Sequence, residues 1–218
     1  EVLDMLGRLL DKSLVSVNED DAETRYRMLE TVRQYAREKL FESGEGELIR
    51  DRHAQCFLQF AEKAEPEIRG RDQLHWLNLL ELDHDNLRAA LEWTRDHDIN
   101  ACLRLATVLW RLWDLRSYNT DAFTWADQLL ELTDGISPAV RAKALISAAN
   151  YFRNSAEEDR TKRMVNIAAA LAEQMDDKLS LAVALRYQGE FLIFADLQAA
   201  LELFERSLAL CRQINDSW

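Results

Sequence analysis

The chain has 218 residues, 48% of them hydrophobic, which is enough for one large domain or two small ones with an apolar core. Six glycines and two prolines are too few for the many turns of a sandwich, a barrel or a doubly wound sheet, so the composition predicts helix. A formal net charge of −12 argues against direct nucleic-acid binding, which needs a concentrated basic face.

Targeting features are missing from the sequence. It has neither the run of about 18 apolar residues that a membrane span needs nor an opening secretion signal. We therefore expect a cytoplasmic protein without a membrane partner. The three cysteines, Cys56, Cys102 and Cys211, lack paired spacing, which predicts reduced thiols that fill core positions. Because the chain starts without methionine and stops at Trp218 beside a patterned helix, we expect it to be part of a longer protein.

The first 47 residues predict a mixed element order. The pattern indicates a short helix up to Leu10, a strand around Val15, a polar turn over 18–24, a returning strand at Tyr26 and a helix over 30–42. Helix, strand, turn, strand and helix is the order of the second half of a winged-helix domain. We assign residues 1–47 to it, with the hairpin as its wing.

Beyond Gly46 the sequence predicts only helices. Their expected ranges are 48–64 (ended by Pro66), 72–82, 84–96, 100–116, 120–132, 138–153, 160–175, 179–194 and 197–214. We interpret 48–135 as degenerate helical-hairpin repeats and 136–218 as tetratricopeptide-like repeats.

An internal period of 39 residues supports this division. Small or apolar residues recur on one face of each second helix, and each first helix carries a stripe with a small residue in its middle. The second-helix set includes Ala122, Thr161 and Ala200, with Ala126, Val165 and Phe204 four positions later; the first-helix sets are Leu145, Ala149, Phe152 and Leu185, Gly189, Leu192. The predicted fold is all-α, a tetratricopeptide-like superhelix preceded by a partial winged helix with a small β-hairpin.

Two resemblances extend this interpretation. The last hairpin resembles a tetratricopeptide repeat at Leu185, Gly189, Asp196, Ala200, Phe204 and Ser207, although its period exceeds the usual length of about 34 residues. The segments DKSLV at 11–15, YRMLETVRQYA at 26–36 and HDNLRAALEW at 84–93 resemble bacterial STAND signalling ATPases and LuxR-type transcriptional regulators. The second resemblance covers nearly the whole chain.

The STAND resemblance implies a P-loop domain upstream, then a winged helix, then a helical-repeat sensor. Many members of that family contact ADP through the histidine of a Met-His-Asp motif. The matching stretch here is Met28, Leu29 and Glu30, so the histidine contact does not carry over.

No chemistry-bearing motif points to an active site. A glycine-rich P-loop with its lysine is missing, so we expect any ATP hydrolysis to reside upstream. We predict no catalytic residues, no cofactor and no metal ligands. His53 and Cys56, three residues apart, could form a nucleophile with its base or half a metal site, but a half-buried helix stripe explains them better. An aromatic ligand cage is the alternative to a core role for Trp76, Trp93, Trp110, Trp113 and Trp125.

The candidate partner-binding groove lies on the first helices of the hairpins. With the packing stripes turned into the stack, helical spacing directs five polar side chains away from it: Asn150, Arg153, Asn154, Arg186 and Glu190. Their amide, guanidinium and carboxylate groups suit a peptide backbone or an acidic partner. The alternative is an ordinary solvated face.

The sequence thus favours a non-catalytic module that binds a protein, a peptide or a small effector and that biases an upstream ATPase domain of the same polypeptide. The rival is a DNA-contacting winged helix with a dimerising helical array. Arg25, Arg27, Arg33, Arg37 and Lys39 would supply its basic surface, although acidic residues lie between them. An enzyme is the third alternative.

Overall fold

The computed structural model describes residues 2–18, 24–68, 70–117, 125, 128, 130–131, 135–152 and 157–214. Within these ranges the regular secondary structure is helical except for one two-stranded antiparallel sheet. The prediction of an all-α fold with a small β-hairpin is therefore confirmed. No helix in the described ranges combines the length and apolar character that crossing a bilayer requires.

The chain divides into two compact units, Glu1–Arg52 and His53–Trp218. The first contains helix α1 (Val2–Asp11), strand β1 (Ser16–Asn18), strand β2 (Arg25–Arg27) and helix α2 (Glu30–Glu42). The strands pair with Ser16 opposite Arg27. Val15, just before β1, is buried. The predicted element order is thus found.

The second unit is built from helices whose observed bounds agree with the predicted ranges to within a few residues. They are α3 (Gly46–Glu67, which begins in the first unit), α4 (Gln73–Leu82), α5 (His84–His97), α6 (Ile99–Arg116), α7 (Pro138–Phe152), α8 (Glu158–Gln174), α9 (Lys178–Leu192) and α10 (Leu197–Gln213). The helix predicted over 120–132 falls largely outside the described residues.

Helix α3 runs past the proline that was expected to end it. Pro66 lies inside the last turn, and the helix continues to Glu67. Ile68 accounts for the difference, because its side chain is buried in the core and its N–H donates to the Ala64 carbonyl at 2.9 Å. Core packing thus stabilises a final turn that the proline alone disfavours.

Three helices begin at an aspartate that caps them. Its carboxylate accepts a hydrogen bond from the N–H three residues later, the usual N-cap arrangement. The pairs are Asp98 with Ala101 at 3.0 Å, Asp177 with Ser180 at 3.1 Å, and Asp196 with Ala199 at 3.0 Å. These caps fix where α6, α9 and α10 start.

The core of the second unit centres on α6, which buries residues on most of its circumference. Trp110 packs edge-on against Trp113 and Phe152, with ring centroids 5.1 and 5.9 Å apart. Trp110, Trp113 and Trp125 are buried, while Trp76 and Trp93 are partly buried against the same core. The interpretation of the tryptophans as core residues is confirmed.

Ion pairs connect α3 to two later helices. Arg104 on α6 donates from Nε to Oε1 of Glu62 at 2.7 Å. Lys143 on α7 lies 2.8 Å from Oε1 of Glu65. All four side chains are partly exposed, and such ion pairs contribute little to the free energy of unfolding. We therefore expect these two contacts mainly to orient α6 and α7 relative to α3.

The last two hairpins confirm the predicted packing register. Thr161 and Ala168 on α8, and Ala200 and Ser207 at the equivalent places on α10, are all buried. The Ser207 hydroxyl donates to the Ala182 carbonyl on α9 at 2.7 Å. The first copy of this pattern, at Ala122 and Ala126, lies outside the described residues.

One side chain ties the start of α6 to the segment before α7. The Asn100 amide donates to the Gly135 carbonyl at 2.9 Å, and its oxygen accepts the Ser137 N–H at 2.8 Å. Gly135 has a φ of 69°, a conformation that glycine adopts without strain. Both halves of one amide thus hold a turn that is 35 residues away in sequence.

The expectation that all three cysteines fill the core is wrong for two of them. Cys102 is fully buried, but Cys56 is exposed and Cys211 is partly exposed. Helical geometry explains Cys56. The buried face of α3 runs through Ala54, Leu58 and Ala61, and a residue two positions after Ala54 points to the opposite side.

We expect the two extreme thiols to differ sharply in reactivity. Burial raises the pKa of Cys102 to about 12 from the usual 9.0, so its reactive thiolate is nearly absent at pH 8. In the native protein, Ellman's reagent should modify Cys56 rapidly, and Cys102 only after unfolding. A Cys56→Ser/Cys211→Ser variant is the control, since it removes the exposed and the partly exposed thiol and should lose the rapid phase. A rapid phase assigned to Cys102 would contradict the prediction.

Candidate partner-binding surface

The described members of the predicted groove lie on α7 and α9, the first helices of two consecutive hairpins, which contact each other. Asn150 is near the end of α7, and Arg186 and Glu190 are on α9. Arg153 and Asn154 fall outside the described residues. The three described members are each half-buried.

A tyrosine connects the two helices. The Tyr187 hydroxyl on α9 donates to Oδ1 of Asn150 on α7, with the two oxygens 2.6 Å apart. Tyr187 is only 3% exposed, so this hydrogen bond satisfies a hydroxyl that would otherwise be costly to bury. The bond fixes the orientation of the Asn150 amide at the edge of the surface.

Arg186 is held by two contacts on its own helix. Its guanidinium carbon lies 4.3 Å from the ring centroid of Tyr187, a cation–π arrangement. Its Nη1 atom also pairs with Oε1 of Glu190, one helical turn later. The side chains of Arg186 and Glu190 are 25% and 28% exposed to solvent, so a partner can reach both of them. The planar guanidinium is therefore presented in a defined orientation.

Helix α8 borders this cluster through contacts with α9. The Lys162 ammonium lies 5.7 Å from the ring centroid of Phe191. The Gln188 amide donates to Oδ1 of Asn166 at 2.9 Å. With its contacts to α7, α9 thus packs against both helices of the preceding hairpin, and these two contacts define the side of α8 that faces the next helix along the chain.

Sequence reasoning missed Tyr187, although it is the residue that joins the other members. Its partner is 37 residues away, close to one repeat period. That separation was the available signal, because polar residues one period apart on first helices become neighbours when hairpins stack.

The described side chains of this surface can donate and accept hydrogen bonds and carry charge, but they do not place a nucleophile beside a base. Within the described ranges, no cluster of three or more His, Cys, Asp or Glu residues could hold a metal ion. The His53 ring packs at a tilt of 48° against Phe57 with centroids 4.6 Å apart, while Cys56 is exposed on the same helix. The exposure of Cys56 differs from the half-buried stripe that the sequence interpretation favoured for this pair.

The chain is similar throughout its length to three curated bacterial proteins. One is from Mycobacterium bovis and two are from strains of Mycobacterium tuberculosis, and each is provisionally named an HTH-type transcriptional regulator. Identity is 33% over 226 aligned positions, covering 100% of this chain and 25% of each relative. No family model and no solved structure matches the chain. The chain thus spans about a quarter of the length of the transcriptional regulators that it resembles.

Proposed function

We propose that this chain is a non-catalytic protein-interaction or effector-sensing module of a multidomain signalling ATPase that regulates transcription. The observation that carries the proposal is the joined polar surface on α7 and α9. There Tyr187 positions Asn150, and Arg186 is oriented by Tyr187 and Glu190. The names of the relatives support a role in transcriptional regulation, and their greater length leaves room for further domains.

The partner should be a protein segment, a peptide or a small effector that accepts hydrogen bonds. The guanidinium of Arg186 can pair with a carboxylate or with backbone carbonyls, while the Asn150 amide can both donate and accept. Glu190 already pairs with Arg186, so a bound carboxylate would compete with it. Binding would thereby replace one internal contact with an external one.

In the longer protein, occupancy would bias the proposed upstream ATPase domain between two states. A ligand can shift such an equilibrium only by its difference in affinity for the two states. Such a difference in affinity would arise if α7 and α9 were ordered against the partner in only one of the two states. Under this proposal, the ATPase itself resides outside the 218 residues.

Pull-down from the source organism with Arg186→Ala beside the wild type tests the proposal. Removing a charge-assisted hydrogen bond costs about 1.5–3 kcal/mol, so binding should weaken at least about tenfold. Arg163→Ala is the matched control, since Arg163 is an exposed arginine on the second helix α8. Thermal melts verify folding. The same partners at equal yield from both variants and the wild type would remove this surface from the function.

The rival function is DNA contact by the β-hairpin, favoured by the HTH-type names of the relatives and by Arg25 and Arg27 on β2. We expect no binding to duplex DNA at about 0.15 M salt because the chain is strongly acidic. Fluorescence anisotropy with labelled duplex DNA distinguishes the rival function from the proposed one. Sequence-dependent binding that is lost in Arg25→Ala/Arg27→Ala would favour the rival.

A further inference from the structure

Helix α10 presents an apolar row that nothing in the described residues covers. Leu197, Leu201 and Leu208 repeat at spacings of four and seven residues along it, and they are 60%, 47% and 47% exposed. Phe194, in the turn before α10, is fully exposed. We call Leu197, Leu201 and Leu208 the α10 row. Exposed leucines at helical spacing are typical of a helix face that packs against another element.

The preceding hairpin shows what covers the equivalent row. Lys162 and Ala169 on α8 occupy, one 39-residue period earlier, the positions of Leu201 and Leu208, while the counterpart of Leu197 is the exposed Glu158. Lys162 lies over Phe191 of α9, and Asn166, the counterpart of Glu205 between the two leucines, accepts a hydrogen bond from Gln188. Ala169 is buried in the core. On α8, therefore, this face packs against the first helix of the following hairpin.

The α10 row is also more apolar than its counterpart. Leucine replaces a lysine at 201, and a larger leucine replaces alanine at 208. At about 25 cal/mol per Å² of apolar surface, leaving such side chains in water costs more than it would on α8. We propose that the α10 row is the docking site for an amphipathic helix, the first helix of a further hairpin of the same polypeptide. This inference rests on the proposed function, in which the chain is one module of a longer protein.

A second copy of the chain fits this face less well. Two α10 helices related by a two-fold axis between Leu201 and Leu208 would bring Glu205 of each copy close to its symmetry mate. Like charges at such a contact are unfavourable. A continuing helix avoids the conflict by placing a donor opposite Glu205, as α9 places Gln188 opposite Asn166.

Site-specific photo-crosslinking in the full-length gene product tests the proposal. p-Benzoylphenylalanine is introduced at Leu208, and at the exposed Ala170 of α8 as the matched control. We expect the probe at position 208 to crosslink to a peptide about one period C-terminal to α9, at monomer mass. The probe at position 170 should not crosslink to that peptide.

Each other outcome overturns the proposal. These are a crosslink at 208 to a peptide elsewhere, a crosslinked dimer, no crosslink, or a gene product that ends at Trp218. The result is separable from the proposed function. Partner binding that depends on Arg186 without the crosslink contradicts only the docking helix, whereas the crosslink without such a partner contradicts only the proposed binding surface.

Discussion

Replacing Trp110 with alanine is expected to lower the free energy of unfolding by about 3–5 kcal/mol, the usual cost of truncating a buried aromatic side chain. Trp110 is 2% exposed, and its ring contacts Trp113, Tyr151 and Phe152. Truncation would open a cavity at the junction of α6 and α7, where surrounding rings can only partly collapse. Urea denaturation followed by circular dichroism measures the loss.

Trp110→Phe distinguishes the packing of the aromatic ring from the cost of burying the indole N–H. The indole N–H of Trp110 is buried and has no hydrogen-bond partner among the described residues. Burying an unpaired donor costs about 1–3 kcal/mol, so phenylalanine should recover much of the stability lost in the alanine variant. Phe194→Ala, at a fully exposed position, is the control that should leave the urea midpoint unchanged. A Trp110→Ala midpoint equal to that of the control would place Trp110 outside the core.

Replacing Gly189 with leucine should cost about 1–3 kcal/mol through overpacking. A Cβ atom at Gly189 would lie 2.7 Å from Cε1 of Phe204 and 3.0 Å from Cδ1, both closer than van der Waals contact allows. The side chain would force the Phe204 ring away from α9. For a domain of this size the melting temperature should fall by roughly 2–12 °C.

A double variant shows whether that contact is the cause. Phe204→Ala provides room for the new side chain, so Gly189→Leu should cost less in the Phe204→Ala background than in the wild type. Ala209→Leu, at an exposed position on α10, controls for added bulk alone. Equal costs of Gly189→Leu in both backgrounds would exclude Phe204 as the neighbour that limits the site.

The close approach at Gly189 illustrates what the sequence could predict. A small residue between Leu185 and Leu192, repeated as Ala149 one hairpin earlier, indicates helices that nearly touch. Local spacing also determined most helix bounds, since few glycines or prolines interrupt the periodic segments. The end of α3 differs from the prediction at Pro66 because the burial of Ile68 is a tertiary effect that a local rule does not include.

The candidate surface was only partly predictable for a related reason. Helical spacing identified Arg186 and Glu190 as a pair on one face, since they are one turn apart. The bond between Tyr187 and Asn150 depends on how α9 lies beside α7, which the spacing within either helix does not determine. To predict a contact between two hairpins, one must know how two helices lie relative to each other. To predict a contact along one helix, its period is enough.

The amide of Asn100 substitutes for a stretch of main chain. By donating to Gly135 and accepting from Ser137, it pairs with that segment as a neighbouring β-strand would. Deamidation to aspartate would replace the donor with a carboxylate oxygen facing the Gly135 carbonyl, and two acceptors repel. Deamidation of this single nitrogen would therefore release the turn before α7.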